Sequence, residues 1–431
     1  MNTRMPSFWV DGRSPVEDVY GGDPGRQVDA IWSYLSLAGS MPLPEGLVFD
    51  ADEFELVPGD EPRLCGVFME GLSPRTVVVG YPENTHYAFD VQNSRLALAW
   101  RGRFFNAQGT WRGRAGALER PPSDDQGFLP PGPPFARLAE ADQPWPAEPG
   151  AEAGYRALGR RFDAERRPAF RYALGPVEIE ELPVPRLLPG GSWIARRFQL
   201  RAGEPVADLW LRAAVGTAIE REPDGTWTAA GARRGRWRRA ARARSLRSRD
   251  GGGFPRGGVH VVIPCGPLPI LALLAAAAAA QEESDYYRID TAPIPDAIEL
   301  EVSGLTSLPD GRPLVATRRG EVYIVENPWP GDSVDSGEPV FKRFTEGLQE
   351  PLGLLVHGGW IYTAQRGELS RMRDVDGDDR LDELETVCDA WRVSGNYHEY
   401  NFGPRLDPEG NFWITTNKPC LLYTSPSPRD S

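Results

Sequence analysis

The densest chemistry in the sequence lies in Asp374-Val375-Asp376-Gly377-Asp378-Asp379-Arg380-Leu381-Asp382-Glu383-Leu384-Glu385. With Asp374 as position 1, carboxylates fall at positions 1, 3, 5, 9 and 12, and the backbone carbonyl of Arg380 is available at position 7. Hard oxygen donors at that spacing suit Ca²⁺ rather than zinc, and five carboxylates so close repel one another strongly without a cation among them. The candidate ligands are therefore Asp374, Asp376, Asp378, Arg380, Asp382 and Glu385, with Glu385 the bidentate one. The pattern departs at Asp379, which stands at position 6 where glycine normally permits the sharp turn, while Gly377 comes two places early. A solvated acidic turn is the other use of the same residues.

His86 sits among aromatics in Tyr81-Pro82-Glu83-Asn84-Thr85-His86-Tyr87-Ala88-Phe89-Asp90. Aromatic faces beside Glu83 and Asp90 would suit a sugar, but a hydrogen-bonded histidine at a strand edge accounts for the pattern with less. The four cysteines, Cys65, Cys265, Cys388 and Cys420, stand far apart with no CxxC or CxxCH, so neither a zinc cluster nor covalent haem attachment is encoded. A net charge of -13 argues against nucleic acid or an anionic membrane as a general partner. The charge is uneven, since residues Arg233 to Arg256 hold ten arginines against the single acid Asp250. A nucleic-acid arm is one reading of that run; a solvated tail or an out-of-frame translation is the plainer one.

Several elements must position these residues. Asp23 to Leu37 reads as an amphipathic helix, with Asp23 at the N-cap, Pro24 in the first turn and Val28, Ile31, Trp32 and Leu35 at helical spacing. From Leu47 to about Ala230 short apolar runs alternate between Gly, Pro and Asp, as in Thr76-Val77-Val78-Val79-Gly80, Leu96-Ala97-Leu98-Ala99-Trp100, Val177-Glu178-Ile179-Glu180 and Trp193-Ile194-Ala195-Arg196-Arg197-Phe198. These predict the strands of a sandwich-like β domain with a proline-rich excursion from Pro121 to Pro149. Between Tyr286 and Asn417 strands return with Asp-Gly or Glu-Gly turns, at Pro309-Asp310-Gly311 and Pro408-Glu409-Gly410, the rhythm a four-stranded propeller blade needs.

Between these regions, Ile270-Leu271-Ala272-Leu273-Leu274 runs into alanines ending at Ala280, before Gln281-Glu282-Glu283. Basic residues, a short apolar core and a small-residue cleavage site describe a secretory signal peptide, and the run is too short for a stable membrane span. An export signal inside a chain is what two adjacent genes merged by a frameshift or an assembly error would produce. It also sets the expected location as periplasmic or secreted. The final stretch, 421–431, leaves the strand pattern and resembles translated sequencing adapter.

Two family resemblances follow from these segments. Residues 1–46, with Met5-Pro6 ahead of the Asp23 to Leu37 helix, resemble the tail of a class I c-type cytochrome domain. That resemblance implies Met5 as the sixth, thioether ligand of a haem c, in a complete domain only. Residues 47–230 resemble the β domain that follows such cytochromes, which brings no known chemistry. Residues 282–420 resemble an N-terminal part of the secreted glucose/sorbosone dehydrogenase-like β-propellers, including the pyrroloquinoline-quinone (PQQ) type. In that family a histidine shortly before a Phe-Gly-Pro strand takes the proton from the substrate hydroxyl, and the match Asn396-Tyr397-His398-Glu399-Tyr400-Asn401-Phe402-Gly403-Pro404 nominates His398. A histidine has the proton affinity that role needs. Tyr397 and Glu399 are typical of the cytochrome-associated branch of the family, whose activity is poorly defined.

The expectation is thus a mainly β chain, a sandwich-like domain followed by partial propeller blades, divided at 1–46, 47–230, 231–281, 282–420 and 421–431. Its expected function is cytochrome c-linked oxidation of a sugar or alcohol, with Ca²⁺ and a PQQ-type cofactor and an electron-transfer partner, this polypeptide by itself being inactive. The alternative is a non-catalytic, calcium-stabilised propeller that binds carbohydrate or a protein.

Overall fold

A computed structural model of the chain describes residues 54–111, 118–130, 132–140, 142–147, 150–188, 191–212, 215, 218–221, 226–230, 236–238, 291–328, 338–391, 393 and 399–417. Met5, the Asp23 to Leu37 segment, most of the arginine-rich run, the apolar run to Ala280, His398 and residues 421–431 lie outside the described residues. The described residues are mainly β, with an α-helix at Gln108–Trp111 and a 3₁₀ turn at Gly150–Ala153. None of their helices is long and apolar enough to cross a membrane.

The runs that alternate in the sequence become strands. An antiparallel five-stranded sheet takes β1 (Arg63–Val67), β2 (Thr76–Gly80), β3 (Thr85–Asp90), β4 (Arg95–Arg101) and β5 (Gln126–Phe128) in that order. Every residue of β2 and β3 is buried, because this sheet is covered on both faces. Val77, Val79, Tyr87 and Phe89 face one core, whereas Cys65, Val67, Val78, Ala88 and Leu98 face another with Trp100, Phe104, Phe105 and Trp111. Successive side chains of a strand point to opposite faces, so a two-sided burial pattern follows directly from apolar residues at both parities.

An eight-stranded sheet packs over the first core. It joins β6 (Tyr155–Phe162), β7 (Pro168–Leu174), β8 (Val177–Leu188) and β9 (Gly191–Arg201) to β14 (Leu355–His357), β15 (Trp360–Ala364), β16 (Leu369–Arg373) and β17 (Glu383–Cys388), in the order β9-β8-β7-β6-β17-β16-β15-β14. Phe170, Tyr172 and Ile179 from this sheet meet Phe89 and Tyr87 of the five-stranded sheet, with Phe89 and Phe170 stacked at 3.9 Å. Each group of four is an antiparallel meander, and the two meanders meet edge to edge through Arg161↔Glu383, Arg160↔Leu384 and Gly159↔Glu385. Thus strands from before the arginine-rich stretch and strands from after it share one sheet.

A third sheet, β10 (Val302–Ser307), β11 (Pro313–Thr317), β12 (Val322–Glu326) and β13 (Val340–Thr345), packs Leu314, Ala316, Val322, Ile324 and Phe344 against Ile361, Met372 and Leu384. A final hairpin, β18 (Tyr400–Leu406) and β19 (Phe412–Asn417), leans on β15 through Tyr362 and Phe412, whose rings lie 4.7 Å apart. The turns between these strands carry the expected chemistry, with Gly311 at φ +90° after Asp310 and Gly410 at φ +87° after Glu409. Among the described residues the sheets do not close on one another into a ring.

Candidate functional site

The acidic loop connects β16 to β17. It is pinned from below by Leu381, which is fully buried in the core between the third sheet and β14–β17 and whose amide donates to Phe344 O at 3.0 Å. The turn is formed by Asp374, whose two carboxylate oxygens accept from the amides of Gly377 (2.7 Å) and Asp379 (2.8 Å). Asp382 closes it by accepting from the Val375 amide at 2.7 Å. Gly377 and Asp379 both take left-handed backbone, at φ +84° and +66°. Asp379 therefore does at position 6 what glycine does elsewhere, a conformation that aspartate tolerates better than most side chains.

Carboxylate oxygens of Asp374, Asp376 and Asp382 lie within 4.8 Å of one another. Oxygens about 2.3–2.6 Å from a shared Ca²⁺ stand up to about 5 Å apart, so this spacing fits that ion. Each carboxylate oxygen keeps a second lone pair after accepting one amide hydrogen bond, so the turn and an ion can be served together. The other expected ligands are placed differently. Asp378 accepts from the Arg380 amide at 2.9 Å and is not in the cluster of three. The Arg380 guanidinium, as distinct from the backbone carbonyl expected as a ligand, goes to Glu61 at 2.8 Å. Glu385 lies in β17, where its carboxylate takes the Arg371 guanidinium at 2.6 and 2.8 Å, and it is not brought to the cluster. Asp379 turns away to a bidentate pair with Arg312 at 2.7 and 2.9 Å, which holds its carboxyl below the ordinary aspartate range. One cation competes from the side, since Arg166 approaches Asp382 Oδ1 to 3.6 Å.

A second constellation, which the sequence does not announce, surrounds the loop between β15 and β16. Arg366 is almost wholly buried, pairs with Glu350 and lies between the rings of Phe68 and Tyr400, at 4.6 and 5.0 Å from their centroids. Beside it, Arg75 pairs with buried Glu368 and reaches Asp389 at 3.0 Å. Glu368 also accepts from Ser370 Oγ (2.6 Å) and Thr386 Oγ1 (2.9 Å). Asn401, in the matched Asn396 to Pro404 segment, gives its amide to the carbonyls of Gln365 (2.9 Å) and Arg366. Next to these groups, a shallow depression of about 10 Å³, no larger than a water, is lined by Gly66, Phe68, Trp111, Gln349, Glu350 and Arg366. Asn401 is within reach of sequence reasoning, because it belongs to the motif; Arg366 and Glu350 are not, because their meaning depends on Phe68 from a distant segment.

The described residues contain no cysteine pair for a haem. Cys65 is buried in β1, where desolvation pushes its thiol pKa far up, and Cys388 ends β17. The buried arginines are engaged by carboxylates of the chain itself, Arg366 by Glu350 and Arg75 by Glu368 and Asp389.

His86 lies in β3, the middle strand of five rather than an edge, and is fully buried between Trp100 and Phe104. Its Nδ1 accepts from the Tyr81 amide at 3.3 Å, which leaves Nε2–H to donate to Gly102 O at 2.7 Å. Burial lowers its pKa below the usual 6.5. A depressed histidine binds its proton more readily unfolded than folded, so its stabilising contribution is complete above pH 6.5 and is lost progressively as the pH falls below that value towards the lower folded pKa. Urea midpoints at pH 7.5 and 5.5 are expected to differ less in a His86→Gln variant than in the parent. An unchanged difference would show that His86 does not titrate on unfolding.

No family model matches the chain, and no curated protein matches it in sequence. Solved structures with detectable likeness include a catalytically inactive virginiamycin B lyase from Staphylococcus aureus with quinupristin, at 10% identity and TM-score 0.21 over 84% of this chain and 94% of that one. A putative oxidoreductase (glucose dehydrogenase) from Thermus thermophilus gives 13% identity and TM-score 0.20 over 82% and 94% of the two chains. The PQQ-bound form of an aldose sugar dehydrogenase from Streptomyces coelicolor gives 11% and 0.19 over 84% and 99%. Overlaps this loose assign neither a fold nor an activity to this chain.

Proposed function

We propose that this chain is part of an exported, calcium-binding β-propeller oxidoreductase that oxidises a sugar or alcohol and passes the electrons to a c-type cytochrome. The observation that supports the calcium part of the reading is the approach of carboxylate oxygens of Asp374, Asp376 and Asp382 to within 4.8 Å of one another, in a loop anchored by buried Leu381. Its catalytic part is supported by the segment that follows His398. Glu399 and Asn401 are buried, and Tyr400 stacks on Arg366, so β18 starts from a fixed position beside a charged cluster. In this reading His398 takes the proton of the substrate hydroxyl, and the calcium ion holds the preceding loop in one conformation. A PQQ-type cofactor would supply the electron sink when bound; haem c belongs to the complete cytochrome domain, with Met5 as its axial ligand. The antiparallel meanders β10–β13 and β14–β17 are taken as blades.

Calcium titration of the whole chain, followed by calorimetry and by thermal melting, tests the calcium part. Few and partly exposed carboxylates predict an affinity in the range of extracellular calcium modules, a Kd of about 10⁻⁴–10⁻³ M. Calcium at about 10 mM should then stabilise by about 1.4–2.7 kcal/mol, a rise of roughly 3–10 °C in Tm. Asp376→Asn is expected to abolish the response and Glu385→Gln to keep it, because Arg371 already engages Glu385. No binding heat and an identical Tm in calcium and in chelator would reduce the loop to a solvated turn.

A further inference from the structure

The segments before and after the arginine-rich stretch fit one another through close backbone contacts and buried charges. Gly159 in β6, at φ +119°, lets Leu384 O come to 2.0 Å from where a Cβ would stand, at the point where β6 pairs with β17. Gly66 in β1 meets the Gln349 side chain and Leu348 O, at 2.7 and 2.8 Å from its own missing Cβ. The relation is reciprocal, for a Cβ on Gly347 would stand 2.6 Å from the Leu64 side chain and one on Gly367 would stand 2.5 Å from the Arg75 side chain. Glycine at a site of close backbone approach is a fitted position, and here the fitted positions lie on both segments.

Polar groups obey the same division. Buried Arg160 donates to Glu346 O at 3.1 Å and to Gly347 O at 3.1 and 3.2 Å, while burial draws its pKa down to about 10. The buried carboxylate of Glu346 accepts from the Leu64 amide at 2.8 Å, and Gln349 Nε2 donates to Thr76 O at 3.1 Å. Arg75 finds Glu368 and Asp389, and Arg166 donates to Leu381 O at 2.6 Å. In each of these pairs one member precedes the arginine-rich stretch and the other follows it. Separation would leave groups that now satisfy one another without their partners, and buried polar groups without partners are costly.

We infer that residues 54–201 form a docking surface whose specific partner is the 291–417 segment of the same chain, and that this association does not require the covalent connection between them. The stretch between the two segments can then be cut without separating the halves. This inference does not depend on whether the acidic loop binds calcium or on the role of His398.

The test inserts a viral-protease recognition sequence after Asp250 in the full chain, which is purified intact, cut, and passed over a sizing column with light-scattering detection. The cut protein is expected to elute as a one-to-one pair with the mass of the uncut chain and to separate only in denaturant. Separation or precipitation of either piece in native buffer overturns the inference. An uncut chain of twice the expected mass also overturns it, since the surface would then be filled by a second copy. Arg160→Ala is expected to speed dissociation of the cut pair at least ten-fold, and a rate unchanged by Arg160→Ala, Arg75→Ala and Gly66→Val alike counts against this surface as the contact.

Discussion

Replacing Gly159 by valine is expected to lower the melting temperature of the chain by roughly 10 °C. Two costs add at this position. Its φ of +119° lies where side chains are strained, and a Cβ would stand 2.0 Å from Leu384 O and 2.9 Å from Glu385 Cα. Left-handed strain costs about 1–3 kcal/mol, and forcing atoms into a packed site about as much again. At about 2–4 °C per kcal/mol for a protein of this size class, the sum gives the stated fall. The obstacle is backbone rather than the end of a flexible side chain, so relief requires β6 and β17 to move apart. Gly311→Val is the control, because Gly311 has φ +90° with nothing within 4 Å of its added Cβ and therefore meets the strain alone. Equal falls for the two variants, followed by thermal melting, would mean that the β6–β17 contact contributes nothing.

How far this arrangement can be read from sequence varies along the chain for physical reasons. Thr76–Gly80 and Arg95–Arg101 are legible because apolar residues at strand spacing report burial locally. The acidic loop is legible for a similar reason, its ligands being near neighbours in sequence. Its twelfth position is not, since Leu384 of β17 must be buried in the core, and strand alternation then points Glu385 to Arg371 on the neighbouring strand. Asp379 reads as a defect and turns out to adopt the left-handed turn itself.

The junction is the least legible part. Arg160 and Leu384 pair across more than half the chain, and nothing near either residue announces the other. The one local signal is glycine inside a strand, as at Gly159, which marks a close approach without naming what approaches. Buried charges mislead in the same way: Arg75, beside the apolar run of β2, looks like a solvated strand boundary, yet it is buried and ends on Glu368. Sequence periodicity therefore yields the sheets, and long-range complementarity decides how they are joined.

The proposed oxidation assigns its general base to His398. A general base contributes about 10²–10⁴-fold to the rate of the step it serves, so its removal has the largest effect expected of any single substitution here. The segment that carries it opens β18, whose first residues are fixed by Tyr400 on Arg366 and by the Asn401 amide on the Gln365 and Arg366 carbonyls. Because proton removal from a hydroxyl requires the base within hydrogen-bond reach, a fixed strand start is the condition for that role. The direct measurement is dye-linked oxidation of aldoses and simple alcohols by the proposed propeller, completed with the blades that the proposal requires and supplied with calcium and PQQ. His398→Ala is expected to lower kcat by about 10²–10⁴-fold with the fold and the calcium response retained, while this chain by itself turns over nothing. Turnover that survives His398→Ala unchanged, or a completed and calcium-loaded propeller that oxidises none of these substrates, would contradict the assignment.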